Sequence, residues 1–397
     1  MAKKSSAKLN KNVIIAVIAI ILILAVALTV IYFAAPSVFD RIAAFFTQSN
    51  ENKGENPGGG SALQRGEGDL QIHFVDVGQG DCILILFPDG KDMLIDCGTT
   101  KGGDLDTTLS YISAYVTDGQ IDYLMITHGD SDHVEYVDEI IETYDIDNIF
   151  MPNVKSLPSG TASSNKYQEQ IATLDKDKVA LFKDPDTLSS NVYAEFFIAA
   201  LTEPDCNIYL NVDPDESTNS IVITDDGLET PENPDTDATY RLTFYCPTRE
   251  YYDTTNLGSA EKKNAISPIG VLEYNDFRIV LTGDSNEINE PVFVDRVGGY
   301  VDCDVLKVGH HGSATSSTAE FLNCIDCEYA VISCGEGNTH KHPRQATLDR
   351  LVAEDMTIYR TDNNGNIVLT VNESIVFTVE KEVSQEVNRQ GLTGDKE

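Results

Sequence analysis

Short apolar runs separated by turn residues dominate the chain from Leu70 onward. IHFVDVG (72–78), CILILF (82–87) and DMLIDCG (92–98) are β-rich and closely spaced, which predicts three successive strands. LDTTLSYISAYV (105–116) changes to helical spacing, IDYLMIT (121–127) reads as a buried strand, and VEYVDEIIETY (134–144) reads as a helix. Strands first and β-α-β alternation afterwards predict a layered α+β fold. From about 151 to 240 the pattern loosens. NVDPDESTNS and TDDGLETPENPDTDATY are acidic and rich in turn formers, so surface loops or an insertion are expected there. Strands resume at 241–247, 270–276, 278–284, 304–310 and 329–335, and a last pair lies within 367–379. Helices are expected at 287–297, 317–325 and 344–353, the last with Pro343 in its first turn.

One apolar run is of a different kind. Val13 to Ala34 carries no charge, and at about 1.5 Å per residue it spans roughly the 30 Å hydrocarbon core of a bilayer. Lys3, Lys4, Lys8 and Lys11 precede it, and the next basic residue is Arg41. That bias predicts a cytoplasmic tail (1–12), a single transmembrane helix (13–34) and an extracytoplasmic remainder in the cell membrane. A cleaved signal peptide is the rival reading, because AAPS follows the run. The apolar region of such a peptide is about 7–15 residues, and this one is longer. Residues 35–68 read as a linker through GENPGGGS, 69–382 as the folded domain, and 383–397 as a flexible tail.

Charge narrows the choice of partner. The chain has 64 acidic and 28 basic residues, a formal net charge of −36, which opposes broad electrostatic binding of nucleic acid and leaves room only for a local basic patch. No protein partner is inferable. Of the 8 cysteines, Cys82, Cys97 and Cys334 lie in apolar strand-like runs as buried thiols do, and Cys324-x-x-Cys327 lacks the second pair of a zinc knuckle.

The chemistry collects where strands end. Six of the 7 histidines fall at strand exits. After the strand 121–127 comes His128-x-Asp130-x-Asp132-His133. Alternation points His128 and Asp130 at one centre, and Asp132 and His133 begin the next helix beside it. Asp96, Asp284, His310–His311 and the pair His340/His342 follow four further strands. Imidazole with carboxylate is a ligand set for zinc, iron or manganese. An Asp-rich helix cap with solvated histidines is the plainer alternative, but it does not explain the sorting of histidines to strand exits.

FVDVGQGDCILI, LIDCG, ITHGDSDHVE, FRIVLTGD, DVLKVGHHGSATSS and AVISCGEGNTHKHP together resemble the metallo-β-lactamase-fold hydrolases, specifically the hydrolase domain of ComEC-like competence proteins, over roughly residues 70–380. The resemblance implies a four-layer αββα sandwich with one or two divalent ions (Zn²⁺ or Mn²⁺) between the sheet edges. It assigns His128 and Asp130 to one metal and Asp132 and His133 to the other. Asp284 bridges, and His310 is the favoured ligand of its pair. His311, as proton donor, and Asp132 become the candidate catalytic residues. Asp96 and Lys307 support the site, and Ser313, Ser316, His340 and His342 stand near substrate. Asn264 resembles the family's asparagine before the LTGD hairpin. Asp76 and the GQGD turn shape a tight hairpin.

Two departures stand out. Asp130 takes a place where many members have histidine, and no histidine occurs between His133 and His310. Either an acidic loop residue, His340 or His342 fills that place, or the first site is a weak one. The implied function is a membrane-anchored, extracytoplasmic metal-dependent hydrolase of phosphodiesters, with DNA as a candidate substrate. The alternatives are a small-molecule ester, lactone or lactam hydrolase and a non-catalytic metal-binding surface domain.

Overall fold

The computed structural model describes residues 68–392 apart from 157–161, 183–186, 189, 214–220, 230–236, 255, 256 and 258. The expected transmembrane run 13–34 lies outside the described residues. Among the described residues no helix is long and apolar enough to cross a membrane.

The apolar runs pair into two eight-stranded sheets and one short pair. The strands in chain order are β1 (Leu70–Phe74), β2 (Cys82–Leu86), β3 (Asp92–Cys97), β4 (Gln120–Met125), β5 (Asp145–Met151), β6 (Lys155–Ser156), β7 (Thr187–Leu188), β8 (Asn207–Leu210) and β9 (Ile221–Thr224). They continue with β10 (Gly227–Leu228), β11 (Tyr240–Tyr245), β12 (Ile269–Tyr274), β13 (Phe277–Leu281), β14 (Val305–Lys307), β15 (Tyr329–Ile332), β16 (Thr357–Arg360), β17 (Ile367–Val371) and β18 (Ile375–Val379). The first sheet runs β18-β17-β1-β2-β3-β4-β5-β8, and the second β10-β9-β11-β12-β13-β14-β15-β16.

Alternation within single strands builds the layers. In β2, Ile83 and Ile85 face the second sheet and join Leu272, Ile279 and Val305, whereas Cys82, Leu84 and Leu86 face helices that carry Val137, Ile140 and Phe196. In the second sheet, Val280, Leu306 and Ile358 turn outward onto Phe293, Phe321 and Leu348. Three apolar layers between four structural ones make an αββα sandwich.

Several elements depart from the sequence reading. The predicted helix 134–144 is two helices, Ser131–Val134 and Val137–Thr143. The loosened stretch 151–240 holds a core helix, Asn191–Thr202, that buries Tyr193, Phe196, Phe197 and Leu201, and it supplies strands to both sheets. Its apolar residues lie all round, so no periodicity announces it. The tail expected from 383 is packed at least to its helical turn Gln385–Asn388. Asn388 Nδ2 donates to the Ile358 carbonyl at 2.8 Å, and Arg360 Nη1 to that of Gln390 at 2.6 Å.

Close backbone approach fixes the helix Ser131–Val134 against the first sheet. A Cβ added at Gly98 would lie 2.5 Å from the Ser131 carbonyl oxygen and 2.6 Å from the His133 nitrogen. Only glycine admits that contact.

Candidate metal centre

The first sheet delivers its chemistry at the exits of β3 and β4. Cys82 pairs with Cys97 but Ile83 with Ile95, so Asp96 is the extra residue of a bulge, and its φ of 54° lies in the left-handed region. Its carboxylate accepts from Thr127 N at 2.8 Å and Thr127 Oγ1 at 2.7 Å, and it lies 2.7 Å from His133 Nδ1. A bulge on β3 thus positions an imidazole carried by the helix that follows β4.

The second sheet contributes Asp284 after β13 and His310 and His311 after β14. Both histidines have positive φ, 46° and 52°. These two left-handed residues turn the neighbours apart: His311 is buried, and the His310 side chain keeps 24% of its exposure.

Asp284 gives one oxygen to each half of the site. Its Oδ1 lies 3.2 Å from His133 Nε2 and 3.5 Å from His311 Nε2. Its Oδ2 lies 3.8 Å from His128 Nε2, 3.6 Å from His310 Nε2 and 3.2 Å from Asn264 Nδ2. Asp132 Oδ2 is 3.4 Å from His311 Nε2. Asp130 Oδ2 is 3.7 Å from His128 Nε2, and its Oδ1 pairs with Lys263.

The outer contacts set the tautomers. His311 Nδ1 is 2.9 Å from the Ser333 carbonyl oxygen, which can only accept, so Nδ1 carries the proton. His133 Nδ1 donates to Asp96 in the same way. Thr127 Oγ1 spends its proton on Asp96 and accepts at 3.2 Å from His128 Nδ1. In the neutral imidazoles three Nε2 lone pairs therefore face inward, toward carboxylate oxygens. The Nε2 atoms of His128, His133 and His311 and Asp284 Oδ1 are buried without a hydrogen-bond partner. Acceptors buried against acceptors cost about 1–3 kcal/mol each, and a cation relieves that cost. The residues fit a divalent ion, with a ligand set of zinc or manganese type.

The electrostatics agree. Burial alone would lower the pKa of His133, but Asp284 and Asp96 raise it well above its ordinary value. Asp284 and Asp132 likewise raise that of His311 against burial. Burial would raise the pKa of Asp284, yet the imidazoles of His310, His133 and His311 hold it well below the usual carboxylate range. Asp132 is lowered too, by His311 and His133 against burial. The cluster attracts positive charge.

Seven sequence candidates converge: His128, Asp130, Asp132, His133, Asp284, His310 and His311. Donor atoms mutually within 4.8 Å form the groups His128–His133–Asp284 and Asp132–His133–His311, and two more that include Asp81: Asp81–Asp96–His133 and Asp81–Asp284–His311. His311, rather than the favoured His310, supplies the Nε2 beside Asp132. His340 and His342 do not join these groups. Their ring centroids are 5.7 Å apart, and His342 lies 5.1 Å from His310, so the three rings lead away from the cluster. Ser316 Oγ donates to the Gly309 and Ser313 carbonyls, and Ser313 Oγ lies 3.2 Å from Thr315 Oγ1, so both serve the loop. Lys307 Nζ is 2.8 Å from Asp81 Oδ2, with both side chains fully buried.

Sequence reasoning missed Asp81 and Lys263 as site residues. Asp81 ends the GQGD turn, its Oδ1 lies 3.7 Å from His311 Nδ1, and its N donates to the Asp132 carbonyl at 2.9 Å. The motif itself was the available signal. Nothing in the sequence marks Lys263.

A profile of the metallo-β-lactamase superfamily matches residues 75–230. Together with the αββα layers and the His/Asp centre, this match supports a metallo-β-lactamase fold for the chain. Its curated relatives are of the ComEC type. It is 24% identical over 313 residues to ComE operon protein 3 of Bacillus subtilis, which covers 75% of this chain and 32% of that protein. It is 24% identical to Recombination protein 2 of Haemophilus influenzae over 298 residues, 75% of this chain and 28% of that protein. It is 42% identical to Competence protein ComA of Neisseria gonorrhoeae over 87 residues, 22% of this chain and 13% of that protein. The chain thus spans about a third or less of each of these relatives. Among solved structures it is similar to the metallo-β-lactamase fold protein YhfI of Bacillus subtilis. That match has 11% identity and a TM-score of 0.40, covering 76% of this chain and 100% of that one.

Proposed function

We propose that this protein is a divalent-metal-dependent hydrolase of phosphodiesters, anchored in the cell membrane by residues 13–34 with its catalytic domain outside. The observation that carries the catalytic reading is the set of buried, unpartnered Nε2 atoms of His128, His133 and His311 around Asp284 Oδ1. Asp132, His133, His311 and Asp284 hold the tighter ion; His128, Asp130 and Asp284 form the second position. A bound divalent ion supplies Lewis acidity and lowers the pKa of water from about 15.7 towards about 7. The protein's own part is orientation. Asp96 and the Ser333 carbonyl hold protons on the outer nitrogens of His133 and His311, and Asn264 restrains Asp284 Oδ2. His310, whose side chain stays partly exposed beside Asp284, is the candidate proton donor to a leaving group. The competence relatives support DNA as the polymer concerned. The net charge of −36 favours a second reading, a small ester, lactone or lactam substrate, because the domain repels polyanions at long range.

The test uses the full chain loaded with Zn²⁺ or Mn²⁺ and assayed on bis(p-nitrophenyl) phosphate, single-stranded DNA and a panel of esters and lactones. Metal-dependent cleavage of the phosphodiesters, lost in Asp284→Asn, is expected. Cleavage of the esters or lactones alone supports the second reading, and metal binding without turnover of any substrate refutes a catalytic role. Protease added to intact cells is expected to remove the domain and leave a small membrane fragment.

A further inference from the structure

We infer that Lys263 is a built-in cation of the centre: its ammonium occupies the half of the site formed by His128 and Asp130, so a second divalent ion must displace it. The inference rests on the metal-hydrolase reading above and asks how many ions that centre holds, and why.

The two halves differ in what neutralises them. Around Asp284 Oδ1 stand His133, His311 and Asp132, and among the described residues no lysine or arginine pairs with Asp132 or Asp284. Around Asp284 Oδ2 stand His128 and His310, with Asp130 beside His128, and Asp130 Oδ1 is already paired with the Lys263 ammonium. An ion entering this half meets a carboxylate engaged by a positive charge.

Lys263 is not a surface lysine that swings to a chance partner. It lies in the last turn of the helix Ala260–Asn264, whose first turn is capped by Ser259 Oγ accepting from Lys262 N. Its neighbour Asn264 donates to Asp284 Oδ2 at 3.2 Å. Ser267 Oγ accepts from Asp284 N at 3.2 Å and lies 3.4 Å from His128 Nδ1. Residues 263–267 thus reach Asp130, Asp284, His128 and, through Asn264, His310, the four groups of this half. The Lys263 side chain is 23% exposed and that of Asp130 26%, so water screens the pair only partly. The ammonium delivers one positive charge where a metal ion would deliver two, from a backbone that the site itself holds in place.

The experiment is a metal titration of the stripped full chain by calorimetry and equilibrium dialysis, with Mn²⁺ alone and Zn²⁺ alone. Wild type is expected to bind one ion tightly and a second weakly. Lys263→Met frees Asp130 and is expected to tighten the second ion roughly tenfold, the yield of about one displaced ion pair. Lys263→Arg is expected to keep the wild-type pattern. Retention of the first tight ion reports that a variant is folded, and Lys263→Gln replaces Lys263→Met if that ion is lost. Two ions of equal affinity in wild type overturn the inference, as does a second-ion affinity unchanged within about twofold in the neutral variants. A wild type that takes up no ion overturns the metal-centre reading and this inference together.

Discussion

Oδ1 of Asp284 lies 3.2 Å from Nε2 of His133, and both atoms are buried with no hydrogen-bond partner. With Asp96 fixing a proton on Nδ1, the contact is favourable when a second proton on Nε2 or a metal ion lies between the two atoms, and a metal ion that binds there displaces that proton. Asp284→Asn and Asp132→Ala should each abolish tight metal binding, measured as metal retained after dialysis. Asp130→Ala should keep the tight ion and lose the weak one. Equal retention in all three variants would refute the division of the site.

Chelation should unfold the domain at a lower temperature. An ion present at about 100 times its Kd adds about 2.7 kcal/mol to the folded state. For a domain of this size that is a fall in Tm of roughly 4 °C on stripping, restored by Zn²⁺ or Mn²⁺. Calorimetric scans that coincide with and without chelator would count against a built site.

The Asp81–Lys307 pair should reveal itself through asymmetry. Asp81→Asn leaves a fully buried ammonium without its counter-charge, a loss of about 3–5 kcal/mol. Adding Lys307→Met to that variant removes the stranded charge and should recover a large part of the loss. Urea unfolding of the single and double variants checks this, and simple additivity would show that the pair is not coupled.

Acid stability should depend on His73. It is fully buried against Tyr111 and Tyr115, and burial pushes its pKa down to about 3. The unfolded chain takes this proton near pH 6.5 and the folded chain refuses it until about pH 3. The folded state therefore loses stability as pH falls through that window, by up to about 1.4 kcal/mol per unit. His73→Phe gives up the 2.9 Å contact with Tyr111 but never titrates. Its deficit at pH 7.5 should shrink as pH falls below 6.5, and a constant gap from pH 7.5 to 4 would exclude this role.

The sequence made the ligand-bearing loops legible because each follows a strand whose alternation is plain. His128 after β4 and Asp284 after β13 could be placed before any coordinates. Which of His310 and His311 reaches Asp132 could not, because adjacent histidines share every sequence signal and two left-handed residues decide between them. Lys263 meets Asp130 across 133 positions with no local trace. The helix Asn191–Thr202 escaped notice because it is apolar on every side, and residues beyond 382 because side-chain bonds to backbone, rather than an apolar stripe, hold them.

Strand β1 is paired on one side with β2 and on the other with β17, where Gln71 faces Thr370, 299 positions later. Every candidate ligand precedes β17. A chain cut between β16 and β17 therefore keeps the whole His/Asp cluster yet leaves β1 as an open edge. Its expected failure is edge-to-edge aggregation and proteolysis, not weakened catalysis. Pairing across such a separation is also slow to form. Residues 367–379 thus act as a clasp, added last, that closes the sheet beside its first strand.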